Sequence, residues 1–385
     1  MFLRWPGLPL LRASSKWREV PIPNPGDPSY ARRVSATAAT VLPRIERLCA
    51  GTLNAKALRE RVLAELGRVL AFDAHVWLLT DPVTRVGTSP LADVPGLSWP
   101  RLPHLGRWRY LTRLNRWSDL MDAGMRVATL HEATGGNLAL SALWREAQRE
   151  LGVIDVATSV FWDRFGCWAW LELWRYAPAL PFSVADRALL ESLTGQVTTG
   201  LRGAQARAFV PDTPDFRLDG PAVLLLDPGL QVRVQTAAAV EALRRLNPPD
   251  EPMPAIPAAA YNVAAALVAH EQGVAVGPPM SRVHLGGGRW LTLRAARTGT
   301  QEGDIAVSIE AATPAERLQV FALAYGLSRR ERQVLEELST GADSRTLARR
   351  LVISEHTVND HVKSILTKTD SATRHLLLSR VAGTG

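Results

Sequence analysis

The residues best placed to do chemistry lie near the C-terminus, in the stretch SRRERQVLEELSTGADSRTLARRLVISEHTVNDHVKSILTKTD at 328–370. Ser328 and Glu331 make a capping box that opens a first helix, whose Val334, Leu335 and Leu338 face inward. Gly341 closes it. Ser344 caps a short second helix that buries Leu347, Ala348 and Leu351, and Val352, Ile353 and Ser354 form a turn with Ile353 as its apolar anchor. Ser354 then caps a third helix in which Val358, Val362, Ile365 and Leu366 follow the spacing of one buried stripe. His356, Asn359, Asp360, Lys363 and Thr367 point away from that stripe. Docking the stripe on the first two helices turns these polar side chains outward, as a helix that reads a DNA major groove requires. The alternative, an unrelated four-helix bundle with a polar face, explains fewer of the fixed spacings.

Arg330-Glu331, Gly341, Leu347-Ala348, Leu351, Ile353-Ser354, Thr357-Val358, His361, Lys368 and Arg374 recur at fixed spacing. In these residues the segment closely resembles the LuxR-type (GerE-like) helix-turn-helix family of bacterial regulators. The resemblance implies a transcription regulator that binds double-stranded DNA as a homodimer, with a contact to RNA polymerase. It also implies a fourth helix used in dimerisation, for which Leu376, Leu377, Leu378 and Val381 follow Thr373. Asp370 and Ser371 stand where the family usually has glycine and an aliphatic residue, so the turn into that helix differs here. Chemistry and family position together assign DNA-binding roles. Ser354 and Thr357 carry hydroxyls near a helix N-terminus suited to phosphate, and Arg345, Arg349, Lys363 and Lys368 add cations. His356 belongs to the outward face. Asn359 can pair with adenine and Lys363 with guanine, while Asp360 can accept from cytosine or repel wrong registers. Any of these can instead be a solvated surface residue.

The elements that must carry this unit come before it. At 385 residues the chain predicts two or three domains, and 46% hydrophobic with 21% charged residues marks a globular protein rather than a disordered one. The formal charge of +8 favours polyanions without requiring them. Two distant cysteines, Cys49 and Cys167, exclude a disulfide framework and fit a reducing compartment. The expected location is cytoplasmic, with no membrane contact, because the longest apolar run, 258–269, is interrupted by Tyr261 and Asn262.

A flexible basic segment is expected at 1–34, then a long amphipathic helix over 35–70. Residues 72–80 read as a strand, with a hairpin partner beyond Asp81-Pro82. An irregular stretch follows at 90–106, then a helix containing Tyr110, Leu111, Leu114 and Leu120, and another over 142–151. Residues 153–162 and 167–176 read as strands joined by a short Gly-containing connection. Ser183 and Asp186 cap a final helix that runs to about Ala208. In element order 35–208 resembles a GAF domain, the small-molecule-sensing α+β module. After a Pro- and Asp-rich linker, strands at 222–226 and 231–235, a helix at 237–246, an Ala-rich helix and three closing strands make 211–310 resemble a PAS-like domain. Thr313, Pro314 and Glu316 start a connector helix at 313–326, and 327–385 is the helix-turn-helix domain. The fold class expected is therefore multidomain: α+β GAF-like and PAS-like domains, then an all-α four-helix unit.

Catalysis is not expected. The chain lacks a phosphate-binding loop of the G-x-x-x-x-G-K-[ST] type, an H-E-x-x-H pair and a G-x-S-x-G elbow, and the glycines at 286–288 sit between strands. Nor does it open on the acidic pair and strand-end Asp of a phosphorylated receiver domain. No cofactor or metal is expected, since His75, His104, His131, His270 and His284 show no ligand spacing. Trp162, Trp168 and Trp170 either face a pocket for an unknown small-molecule ligand or are core packing, the latter favoured. Cys167 reads as an inert buried thiol in preference to a redox sensor. The upstream region is thus expected to sense a ligand or, alternatively, to be a protein-interaction module.

Overall fold

The computed structural model describes residues 28–210, 218–246, 256–299 and 302–383. Most of the expected N-terminal segment, 1–27, and the linker at 211–217 lie outside the described residues.

The first unit starts with α1 (Pro28–Ala50) and α2 (Ala55–Leu66). The single helix expected over 35–70 is thus two, because Gly51 ends the first and the Asn54 side chain caps the second by accepting from the Ala57 amide at 2.9 Å. Next come β1 (Ala74–Thr80), β2 (Gly87–Asp93), α3 (Leu102–Leu111), α4 (Trp117–Asp122), β3 (Val127–Thr129) and α5 (Leu130–Ala133). The helix expected through Leu120 is divided into α3 and α4, and 144–151 forms a π-turn and a 3-10 turn in place of a regular helix. β4 (Val153–Asp163), β5 (Gly166–Tyr176) and α6 (Val184–Arg207) complete the unit. Ser183 and Asp186 make the expected capping box, and Arg175 binds the same Asp186 carboxylate at 3.2 Å.

These strands form an antiparallel sheet in the order β2-β1-β5-β4-β3. Alternation sends Trp77, Leu79, Phe161, Leu171 and Leu173 to the face packed with α1, α2 and α6. Leu78, Val160 and Trp170 go to the opposite face, beside Tyr110 of α3 and Trp117 of α4. Gly166 makes the β4–β5 turn possible, because a Cβ there would stand 2.6 Å from the Pro82 carbonyl oxygen.

The second unit contains β6 (Ala222–Leu226), β7 (Val232–Gln235), α7 (Ala237–Leu246), α8 (Ala258–Glu271), β8 (Met280–Gly286), β9 (Arg289–Arg297) and β10 (Ile305–Ala311). Its sheet runs β7-β6-β10-β9-β8, so by position in sequence both sheets follow one order, second, first, fifth, fourth, third. α8 is apolar on nearly every side and buried almost throughout, as a helix sandwiched between two layers must be. It packs on α3 and β2 of the first unit and on β9 of the second.

Polar contacts fix this junction. Asp81, at the β1–β2 turn, accepts from Arg282 Nε and Nη2, both at 2.7 Å, and from the Arg282 amide at 3.0 Å, with both side chains buried. Asn262 of α8 accepts from the Tyr110 hydroxyl at 3.3 Å, and that hydroxyl in turn accepts from the Gly87 amide at 2.9 Å.

α9 (Pro314–Ala324), α10 (Arg329–Ser339), α11 (Ser344–Leu351), α12 (Glu355–Lys368) and α13 (Arg374–Ala382) follow. The overall class is thus the expected one, an α+β region with two antiparallel sheets and then a helical C-terminal unit. Among the described residues no helix is long and apolar enough to cross a membrane.

Candidate nucleic-acid interface

Local sequence builds the last four helices. Ser328 and Glu331 close a reciprocal capping box on α10, and Ser354 caps α12 through the Thr357 amide at 3.0 Å. The expected Ser344 cap is displaced by one residue: Asp343 is the N-cap of α11 and accepts from the Thr346 amide at 2.7 Å. That bond holds the exposed Asp343 carboxyl below its ordinary range. Val352 sits in the α11–α12 turn at φ 54°, the left-handed cap of α11. Val358, Val362 and Ile365 are buried, so the expected stripe faces the core.

Docking that stripe leaves Arg345, Arg349, Ser354, His356, Asn359, Asp360 and Lys363 exposed on one side of α11 and α12, with Thr357 half-buried. Asn359 Oδ1 accepts from the Ser344 hydroxyl at 3.2 Å, and Arg374 Nη2 reaches that hydroxyl at 3.4 Å. His356 lies 3.5 Å from Asp360 one turn on. Lys368 stands apart from this set. Its ammonium binds Glu331 at 2.7 and 2.8 Å, tying the end of α12 to the start of α10. Burial alone raises the Glu331 carboxyl; the bonds from Lys368, Ser364 and the Ser328 amide overcome this and pull it down to about 2. Asp370 adopts φ 47°, the left-handed conformation that favours glycine, and buried Ser371 lies 3.0 Å from the Thr369 hydroxyl. The unusual pair is therefore accommodated in the turn.

The fourth helix departs from expectation. Leu377 and Val381, assigned to a dimer face, are buried within the chain, where α13 packs on α9; Leu376 alone of the four is well exposed. Arg317 of α9 holds this contact. Its guanidinium donates to the carbonyls of Val381 (2.8 Å), Arg380 (2.8 Å) and Gly288 (2.6 Å), joining α13 to the β8–β9 hairpin. Burial lowers its pKa to about 10. Beside it Phe209, at the end of α6, stacks on Trp290 and meets Phe321 edge-on, with centroids at 4.5 and 5.1 Å. Pairing signals for Arg317 are absent from the local sequence, since its partners lie 29, 63 and 64 residues away.

Upstream, two of the three tryptophans singled out above are core packing, while Trp162 is half-buried beneath the Arg126 guanidinium, 4.5 Å from its ring. Trp168 and Trp170 are buried; Trp170 stacks on Trp117 at 5.1 Å, and Arg109 lies 4.8 Å from the Trp170 ring while binding Glu172 at 2.7 Å. Burial raises the Glu172 carboxyl above its usual range even against the pull of Arg109. Burial likewise raises the Cys167 thiol to about 11, which keeps it protonated and poorly reactive.

Three short helices, with the second and third joined by a tight turn and the third presenting a polar face, constitute a helix-turn-helix, the architecture of a DNA-binding domain. Residues 326–375 match the family model described as bacterial regulatory proteins, luxR family (GerE). This segment is a LuxR-family helix-turn-helix domain, a family that acts by binding DNA and not by catalysis. No curated protein matches the chain. Two solved structures are distantly similar: SdiA in complex with octanoyl-rac-glycerol (13% identity, 91% of this chain and 95% of that one, TM-score 0.32) and Escherichia coli SdiA in space group P6522 (13%, 91% and 98%, 0.31).

Proposed function

We propose that the protein is a sequence-specific transcription regulator whose DNA binding is modulated through its two sheet-containing units. The observation that carries this is the exposed polar face of α12, flanked by the cations of α11, on a LuxR-family domain. Arg345, Arg349 and the Ser354 and Thr357 hydroxyls at the α12 N-terminus suit phosphates, fixing register without reading sequence. Asn359, Asp360 and Lys363 suit base edges, with His356 beside them. Lys368 contributes through Glu331, by holding α12 in place. As a homodimer the protein would read half-sites about one DNA turn apart, roughly 34 Å.

The common strand order of the two sheets supports reading 35–208 and 211–310 as GAF-like and PAS-like sensor modules. The Asp81–Arg282 pair and α8 make them one body, and Arg317 links that body to α13, so a change upstream has a route to the DNA-binding domain. A second reading, in which the upstream body is a partner-binding module without a small ligand, is favoured by the packed state of the Trp-rich face. Electrophoretic mobility shift of the full chain on its upstream DNA tests the main proposal. Retention that survives excess non-specific competitor is expected; retention equal on all sequences refutes it.

A further inference from the structure

Asn359, on the exposed face of α12, ends in an amide whose two halves do opposite work: Oδ1 accepts and Nδ2 donates. In the major groove adenine offers N7 as an acceptor and N6 as a donor, so an amide reads it with both atoms in a fixed order. An amide turned over about its last torsion exchanges the two atoms and meets N7 with an acceptor. Three helices converge to prevent this reversal. Ser344, half-buried at the start of α11, donates its hydroxyl to Asn359 Oδ1 at 3.2 Å. Arg374, the first residue of α13, donates from Nη2 to the same Ser344 oxygen at 3.4 Å. The hydroxyl proton then has one acceptor among the described residues, Asn359 Oδ1. A reversed amide would set an N–H against an oxygen that already accepts and leave that proton unbound. Oδ1 carries two lone pairs, so the one that Ser344 leaves remains for adenine N6, with Nδ2 for N7.

We propose that Ser344, with Arg374 behind it, is a positioning residue for base reading: acting through Asn359, it fixes the order of acceptor and donor that selects adenine at one operator position. The proposal rests on α12 as the reading helix and adds how one of its side chains is held. Asp343 serves the same end, because its cap on the Thr346 amide sets the backbone that carries Ser344. One ordinary hydrogen bond changes the ratio of two orientations by a factor of about 2 to 12. The preference for adenine at that position should depend on the Ser344 hydroxyl by the same factor.

The test is selection of binding sites from random double-stranded DNA by the full chain, read by sequencing. Asn359→Ala should lose the base preference at one position, which locates the base that Asn359 reads, and wild type should prefer adenine there. Ser344→Ala should lower that preference about 2- to 12-fold and leave the other positions unchanged. Ser344→Thr, which keeps the hydroxyl, should retain it. Should the alanine variant melt early, Ser344→Cys, whose thiol is a weak donor, replaces it. Equal adenine preference in wild type and Ser344→Ala overturns the proposal. So does another base at the Asn359 position, or a threonine variant as impaired as the alanine one. A wild type that enriches no sequence refutes the reading helix itself. A selective wild type whose Asn359→Ala variant selects the same sites overturns this proposal and leaves the regulator standing.

Discussion

Replacing Arg317 with alanine removes the side chain that joins α9, the β8–β9 hairpin and α13. Three carbonyl oxygens, those of Gly288, Arg380 and Val381, lose their donor together. Hydrogen bonds involving a charged group contribute roughly 1.5 to 3 kcal/mol each. Two opposing effects reduce the total: the guanidinium no longer has to be desolvated, and the two carbonyls at the α13 C-terminus regain water when the helix lifts. A net weakening of α13 docking by about 3 kcal/mol follows, a factor on the order of 100 in its opening equilibrium. Native-state hydrogen exchange reads this directly, since local openings set amide protection. Amides of 374–382 should exchange about 100-fold faster in the variant, while those of the first sheet keep their rates. Arg317→Lys, with a point charge and no planar fork, should fall between. Unchanged protection in α13, or acceleration spread equally over the first sheet, would refute the clamp.

Lys363→Ala should weaken DNA binding and lower its salt slope by about one, because an exposed cation near phosphate acts through counterion release; salt titrations of affinity measure this. Val358→Ala should instead cost about 2 kcal/mol of domain stability, since Val358 is fully buried, and its thermal melt should show it. The Glu331 carboxyl, held at about 2 against an ordinary 4.5, stabilises the folded domain by on the order of 2 to 3 kcal/mol. Its folded-state pKa is the lower one, so this stabilisation is complete above about pH 4.5 and is lost as the pH falls towards 2. Denaturation curves of wild type and Glu331→Gln should accordingly converge across that window. Arg282→Leu should destabilise the chain by roughly 3 to 5 kcal/mol by stranding Asp81 in the interior, and adding Asp81→Asn should recover part of the loss in denaturant midpoints.

The helix-turn-helix was legible in the sequence because its determinants are local. Capping boxes span four residues and the buried stripe of α12 spans eight, so residue types at short spacing suffice. Strands such as β4 and β5 were legible for the same reason, through their apolar runs and the short turn between them. Asp343 displaced Ser344 as the α11 cap because adjacent polar residues compete for one position, and only backbone geometry chooses between them.

What sequence spacing could not specify depends on contacts between distant segments. Asp81 and Arg282 are 201 residues apart, and no periodicity marks them as partners. Leu377 and Val381 have the pattern of an apolar helix face, but the pattern says only that the face is covered, and the tertiary structure decided that α9 of the same chain covers it. The sequence by itself thus determined the DNA-binding unit and its outward residues. Packing decided how that unit is held to the body upstream, because Arg317 binds backbone carbonyls, which every residue type carries.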